Sequence, residues 1–460
     1  VTDPAAASFA STEEGPGRSA EPHVADVAVR AATELFRPTQ RRVLGVLTAT
    51  QAFGALGVAV GAAVSALVAA QLSGVDAAGG LAQTSTLLGA ALLAVPAARI
   101  ASRAGRRPAL LLGYTVAAAG AVLAALAIAL SAWPLLLVAL LPFGGGIAAG
   151  LGARFTAADL ARPAHRARAV STVVWATTLG AVAGPNLAGP AGTLAGALGW
   201  PAAAGPYLLA AAAFALAGVG VLVGLRPDPL VVARQAAPEE PLPPAPPSVG
   251  HACPAGLVSA THRETGRARL VVWPALPAPA RLALAGMAVC QTAMVGMMSM
   301  TPVHMNHGGA SVNVVGLVIS VHLASMYAAS PFFGWMADRL GRLPVLTVGT
   351  ALVVAAAGIA GMAPPHEAPQ LGAGLTILGV GWSAALVSGS ALLSESVPMR
   401  VRPAVQGLSD LVMNVGGTVG AVLAGAVVTA WSYAALGLVI GFAALPLLVA
   451  CMAAALRPVG

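Results

Sequence analysis

The sequence predicts an all-α polytopic membrane protein, with about 12 transmembrane helices in two six-helix bundles. Three observations carry this. First, the chain is 58% hydrophobic and only 9% charged, with mean hydropathy +0.84, whereas a soluble domain carries about a quarter of its residues as charge. Second, its apolar stretches, rich in Ala, Gly, Leu and Val, mostly run past the ~20 residues that cross a bilayer. Strands of an outer-membrane barrel would be about half as long and would alternate. Third, the positive charge recurs only on every second connection between those stretches.

Taken in order, the spans are 43–72, 80–102, 108–130, 133–157, 167–190 and 204–225, then 282–303, 313–337, 343–363, 370–394, 403–430 and 433–456. The net charge of +8 is all arginine, because the chain has no lysine. Together with the abundance of Ala, Gly and Pro, this points to a GC-rich bacterial genome. Arg99, Arg103, Arg106 and Arg107 follow the second span, and Arg162, Arg166 and Arg168 follow the fourth. Arg226 and Arg234 follow the sixth, Arg339 and Arg342 the eighth, Arg400 and Arg402 the tenth, and Arg457 the twelfth. Positive charge is retained inside, so the expected location is the bacterial inner membrane with both termini cytoplasmic. Trp133, Trp200 and Trp431 then fall at outer ends, where an amphipathic ring prefers the headgroup region.

Four segments follow from this pattern: a cytoplasmic N-terminal tail (1–42), an N-terminal six-helix bundle (43–225), a Pro-rich cytoplasmic linker (226–280) and a C-terminal six-helix bundle (281–460). In the tail, Val24, Val27, Ala31 and Leu35 recur at helical spacing beside Arg30 and Arg37, which fits an interfacial helix or an extension of the first span. The acidic start around Glu13 and Glu14 is unlike a signal peptide. Residues 237–247 read APEEPLPPAPP, a polyproline-type tether. Cys253, Cys290 and Cys451 are scattered, giving neither a disulfide framework nor a zinc spacing. The arginine placement speaks for the lipid bilayer as partner and against nucleic acid, and a monomer is expected.

The halves repeat each other, as in secondary transporters. ARIASRAGRRP (98–108) follows the second span and GWMADRLGRLP (334–344) the eighth, with Gly105 and Gly341 separated by 236 residues (341 − 105). Both resemble the loop signature of the major facilitator superfamily, G-x-x-x-D-R-x-G-R-[RK], which implies the major facilitator fold. In the second copy Gly334, Asp338, Arg339, Gly341 and Arg342 make a candidate gating loop. Glycine permits close helix approach, Asp can face a neighbouring helix N-terminus, and arginines meet headgroups. In the first copy Ala98 stands for Gly and Ser102 for Asp.

The fifth span carries Gly180, Gly184, Pro185 and Gly189, which resemble the Gly-Pro motif of drug–proton antiporters and equally suit close helix packing. Proton antiport is weakened by the acidic residues. None of the sixteen falls mid-membrane, and Asp410, about two turns into the eleventh span, comes nearest. Arg154 is the embedded cation.

Methionine is absent before residue 287, yet eight of twelve lie between 287 and 336. Met287, Cys290, Met294 and Met298 share one helix face. His322, the one histidine within a span, precedes Met326 by four residues. Both Met294–Met298 and His322–Met326 are i,i+4 pairs at similar depth. Thioethers with one imidazole suit the cuprous ion; a stripe of gap-filling methionine suits simple packing. Met300, His304, Met305 and His307 make a candidate outer capture patch, or a polar extracellular turn.

Met-x-x-x-Met followed by His-x-x-x-Met 28 residues on (322 − 294) resembles the CcoA-like (CalT) family of bacterial copper importers. So do GLVISVHLASMYAASPFFGWMADRLGR (316–342), GWSAALVSGSALL (381–393), QGLSDLVMN (406–414) and WATTLGAVAGPNLAGP (175–190). The resemblance implies Met294, Met298, His322 and Met326 as metal-binding residues and copper as the transported substrate, imported by alternating access, with no cofactor. The same family includes riboflavin importers. Other readings are another organic-solute importer, a drug–proton antiporter, and a copper sensor that moves nothing. No nucleotide-binding loop or catalytic cluster is present, so an enzyme is not expected.

Overall fold

The computed structural model describes residues 21–75, 77–236 and 276–456. The start of the tail, residues 237–275 with the APEEPLPPAPP tether and Cys253, and Arg457 lie outside the described residues, as do the side chains of 21–37. Of the described residues, those up to Thr39 form one unit and those from Gln40 onward a second.

The helices are α1 (Glu21–Ser73), α2 (Ala77–Ala104), α3 (Arg106–Ala129), α4 (Trp133–Phe143), α5 (Gly145–Asp159), α6 (Arg166–Ala197), α7 (Gly205–Gly224) and α8 (Pro229–Ala236). After the linker come α9 (Ala278–His307), α10 (Val312–Ala328), α11 (Ser330–Leu340), α12 (Arg342–Gly361), α13 (Ala368–Ser396), α14 (Arg402–Ala430) and α15 (Tyr433–Ala455). Among the described residues there is no strand. The N-terminal half comprises α1–α7 and the C-terminal half α9–α15, each supplying six span-length segments.

Two spans are each built from two helices. The fourth breaks at Gly144, where a side chain would meet the backbone of α2 at Ala90 N, 2.6 Å away. The eighth breaks at Ala329, just before Pro331, which cannot donate to the helical ladder. Among the described residues, eleven helical segments are long and apolar enough to cross a membrane. The twelfth of the expected spans is α6, 32 residues long but diluted by glycines, prolines, threonines and Asn186. Length alone suits it to a bilayer.

With only 4% aromatic residues, the N-terminal half places its rings against glycine. Gly54, Gly57 and Gly61 of α1 face Tyr114, Phe214 and Phe143 in turn. Phe143 packs edge-on against Phe214 and Tyr207, with centroids 5.4 and 5.9 Å apart. Small residues at i, i+3 and i+7 thus form a groove that seats bulky neighbours, replacing the missing hydrophobic drive between helices in lipid by close packing.

Both signature loops turn through glycine. Gly105 has φ 98° and Gly341 φ 100°, a region other residues rarely adopt. Each lets the chain reverse within one residue between consecutive spans.

Candidate functional site

The two halves meet at the arginine-bearing helix ends. Asp338 of α11, its side chain 1% exposed, accepts from the backbone N–H groups of Ala167 (3.1 Å) and Arg168 (3.0 Å) in the first turn of α6. The helix N-terminus favours this negative charge. Arg168 and Arg342 add ion pairs to the same carboxylate, at 3.5 and 3.2 Å. Gly334 makes the approach close, since a side chain there would meet Ser171 Cβ at 2.6 Å. Arg342 also holds Glu395 at 2.9 Å and donates across to the Pro163 carbonyl. Arg339 stays exposed, its guanidinium 5.5 Å from the Trp335 ring.

On the other crossing Arg106 binds Asp159 at 2.7 Å and donates across to Gln406. Ser102 donates its hydroxyl back to Arg99 O at 2.8 Å. Deeper in, Arg154 of α5 meets Asp410 of α14 at 2.8 Å. Sequence reasoning found both residues and missed the pairing, because nothing in either half's own pattern names a partner in the other.

Gly180 and Gly184 pack α6 on α1: added side chains would meet Ala52 O and Ala59 Cβ, each at 2.6 Å. Gly189 has open space instead. Pro185 lies inside α6 without ending it.

The sulfur face divides along its length. Met287 accepts from Ser390 and Ser409 hydroxyls at 3.6 and 3.9 Å, so it sits among α9, α13 and α14. Cys290 is a free, buried thiol. Met294 (6% exposed) and Met326 (3%) belong to one apolar cluster, and half-buried Met298 packs against it. His322 is fully buried. α13 packs against both α9 and α10, and Gly379 gives α10 its close seat, since a side chain there would meet His322 O at 2.9 Å and Met326 Cγ at 3.1 Å. That glycine carries no signal in the sequence beyond its spacing.

His322 Nδ1 lies 2.7 Å from Leu375 O. A carbonyl only accepts, so the proton is on Nδ1 and the neutral ring keeps its lone pair on Nε2. Nε2 is buried, with no hydrogen-bond partner among the described residues. Metal-binding histidines are oriented in this way, one ring nitrogen donating to a carbonyl and the other free to ligate.

The four outer residues have separate surroundings. His304 donates Nε2–H to Ala363 O at 3.1 Å and stacks on Tyr433 at 4.2 Å. Met305 is buried in the core, Met300 reaches Gly425 on α14, and His307 is exposed. Among the described residues no group of three or more His, Cys, Asp and Glu could hold a metal ion.

A third cluster was missed. Trp382 Nε1–H donates to Gln291 Oε1 at 2.7 Å, and Tyr327 packs edge-on against Trp382 at 5.7 Å.

Two bundles of six spans, repeated loops and polar groups at their contact define a membrane transporter of the two-half type. The family model of the Major Facilitator Superfamily matches residues 43–308 and 282–459. The uncharacterized MFS-type transporter YdeG of Bacillus subtilis (strain 168) is 39% identical over 411 residues, 89% of this chain and 90% of YdeG. The riboflavin transporter RfnT of Brucella anthropi is 28% identical over 374 residues, 81% of this chain and 85% of RfnT. The human organic anion transporter MFSD10 has the same fold at 15% identity, with TM-score 0.69 over 90% of this chain and 99% of its own. The chain belongs to the Major Facilitator Superfamily and is a multi-pass membrane transporter.

Proposed function

We propose that this transporter imports cuprous ion across a bacterial inner membrane by alternating access, through Met294, Met298, His322 and Met326. One observation carries the proposal: the lone pair of His322 Nε2 is buried without a partner, on a ring fixed by Leu375 O. A buried polar atom is normally satisfied, and a soft ion that also takes thioether ligands would answer this one. Met326 lies one turn along α10 and shares the apolar cluster of the C-terminal half with Met294 of α9, against which Met298 packs. With arginines inside, the end at which Asp338 and Arg342 tie the two halves together is the cytoplasmic one.

The test is radiolabelled copper uptake in cells. Met294→Leu with Met298→Leu keeps volume and removes sulfur, and His322→Ala removes the nitrogen; each should lower copper accumulation at least tenfold with the protein still in the membrane. Uptake at the unsubstituted rate in both would end the copper reading.

A second reading is an organic solute such as riboflavin. It is favoured by the Gln291–Trp382–Tyr327 cluster, an amide beside two ring faces, and by similarity to RfnT. Riboflavin uptake that survives His322→Ala and fails in Trp382→Ala would select it.

A further inference from the structure

Four helices begin with an arginine at the end where the halves are tied: α3 at Arg106, α6 at Arg166, α12 at Arg342 and α14 at Arg402. One offset relates them across the halves, since Arg106 matches Arg342 (342 − 106 = 236) and Arg166 matches Arg402 (402 − 166 = 236). A helix N-terminus already carries roughly half a positive elementary charge and favours an acidic neighbour. None of the four has an acidic residue in its first turn. The acids sit at opposite helix ends instead, Asp159 closing α5 and Glu395 in the last turn of α13.

The cluster is short of negative charge. Arg106 takes Asp159 at 2.7 Å. Arg166 and Arg342 share a single oxygen, Glu395 Oε1, at 3.5 and 2.9 Å. Arg402 donates Nε–H to Val397 O at 3.2 Å and Nη1–H to the Met399 thioether at 3.5 Å, with no carboxylate in bridging range among the described residues. The charges that act on it are Arg166, Asp159, Arg106 and Glu395. Asp338 also pairs with Arg342, but it brings Arg168 with it. Four guanidinium groups thus stand against two carboxylates. Arg106 and Arg166 are 5% and 8% exposed, so water and salt screen them poorly. The Nε atoms of Arg166 and Arg342 are buried, with no partner among the described residues. Gln406, one turn along α14 from Arg402, meets Arg106 with a neutral amide.

We infer that this arginine cluster binds a phosphate-group dianion, and that the bound anion holds the two halves together at this end. Guanidinium forks match phosphate oxygens, and a double negative charge answers an excess of two positive charges that chloride would only halve. Half-buried Arg402 and Glu395, 26% exposed, leave the cluster reachable from its rim. Arg106 and Arg166 belong to the N-terminal half, Arg342 and Arg402 to the C-terminal half. An anion gripped by both is lost when the halves part here, so binding raises the population in which they meet. The inference rests on alternating access and is independent of the ion or solute carried.

The test uses the full chain in phosphatidylcholine nanodiscs without cargo, in mildly alkaline buffer where inorganic phosphate is a dianion. Spin labels at Ala104→Cys and Leu340→Cys, both exposed at the arginine-bearing end, are placed in a background lacking Cys253, Cys290 and Cys451. Their separation is measured by pulsed resonance while phosphate is titrated against sodium chloride of equal ionic strength. Phosphate should raise the ratio of short to long distances at least twofold, and chloride should not. Gln406→Glu supplies a carboxylate beside Arg106, so it should favour the short distance without phosphate and lose most of the response. Arg402→Gln should weaken phosphate binding at least tenfold, while Arg103→Gln, exposed and outside the cluster, should leave it within twofold. Phosphatidylglycerol nanodiscs identify the source. A phosphate-free gain in the short distance that Arg402→Gln removes assigns the site to a lipid headgroup, and no gain assigns it to the soluble anion. A parent that answers phosphate no more than chloride would overturn the inference, as would a full response in both Gln406→Glu and Arg402→Gln. Cargo uptake plays no part in the readout, so failure here leaves the copper assignment intact, and the reverse also holds.

Discussion

The two crossings between the halves are built from corresponding positions and solve the same problem differently. An offset of 236 residues (341 − 105) relates them: Arg106 matches Arg342, Asp159 matches Glu395, and Ser171 matches Gly407. Both arginines hold their carboxylates, at 2.7 and 2.9 Å. The close approach is shared out in opposite ways. At α11 and α6 the glycine is Gly334, facing Ser171; at α2 and α14 the glycine is Gly407, facing Ala98. One side chain must be absent at each crossing, and either helix can supply the absence.

The carboxylate differs for a clearer reason. Asp338 accepts from Ala167 N and Arg168 N. The matching positions on α14 are Pro403 and Ala404, and proline has no N–H to give. An aspartate at Ser102 would find one donor where Asp338 finds two, so a neutral serine there forfeits little. On that side Arg106 reaches across only to the neutral Gln406, and the ion pair between the halves lies deeper, in Arg154 and Asp410. A repeated motif thus marks a position, while the partner across the interface decides its work.

Breaking the stronger crossing should have the largest effect. Asp338→Asn removes the buried charge that accepts from Ala167 N and Arg168 N, while Arg342 keeps Glu395, a loss of roughly 1.5–3 kcal/mol. Transport should fall more than tenfold, and melting in detergent should drop by several degrees. Equal loss in Ser102→Ala would dissolve the contrast.

Next comes the exchange of small residues. Gly334→Ala drives a methyl into Ser171, and overpacking of this kind costs about 1–3 kcal/mol. Gly334→Ala with Ser171→Gly copies the Ala98–Gly407 arrangement and should restore melting temperature and transport to near the parent. No rescue would mean the crossings are not interchangeable.

A milder change sharpens the role of proline. Ser102→Asp alone should alter stability by less than about 1 kcal/mol, and Ser102→Asp with Pro403→Ala should add about 1 kcal/mol through the regained backbone donor. Thermal melting of the two variants decides it. Ser102→Ala should be the smallest of all, within about 0.5 kcal/mol and twofold in transport.

Much of this was legible along the chain. Apolar length gave the spans, arginine placement gave the sidedness expected of them, and Gly105 and Gly341 announced two tight turns that the structure places at φ 98° and 100°. His322 stood out because a polar ring within a span needs a reason. Other features were hidden. The fifth span was legible despite the weaker apolarity of α6, but α1 as the helix that its glycines pack against was not. Gln291 and Trp382 are 91 residues apart (382 − 291) and meet through a hydrogen bond that no periodicity encodes.

By itself the sequence determined the solvent, the helices and the repeat, since these follow from hydropathy, chain length and local turn geometry, each set within about twenty residues. Only the tertiary structure decided the partners: Asp338 with the start of α6, Arg154 with Asp410, and the carbonyl that fixes the His322 ring. Such pairings depend on which helix faces arrive at the same depth from distant parts of the chain. Desolvation then makes the arriving partner matter, because a charge or lone pair left alone in that medium is costly.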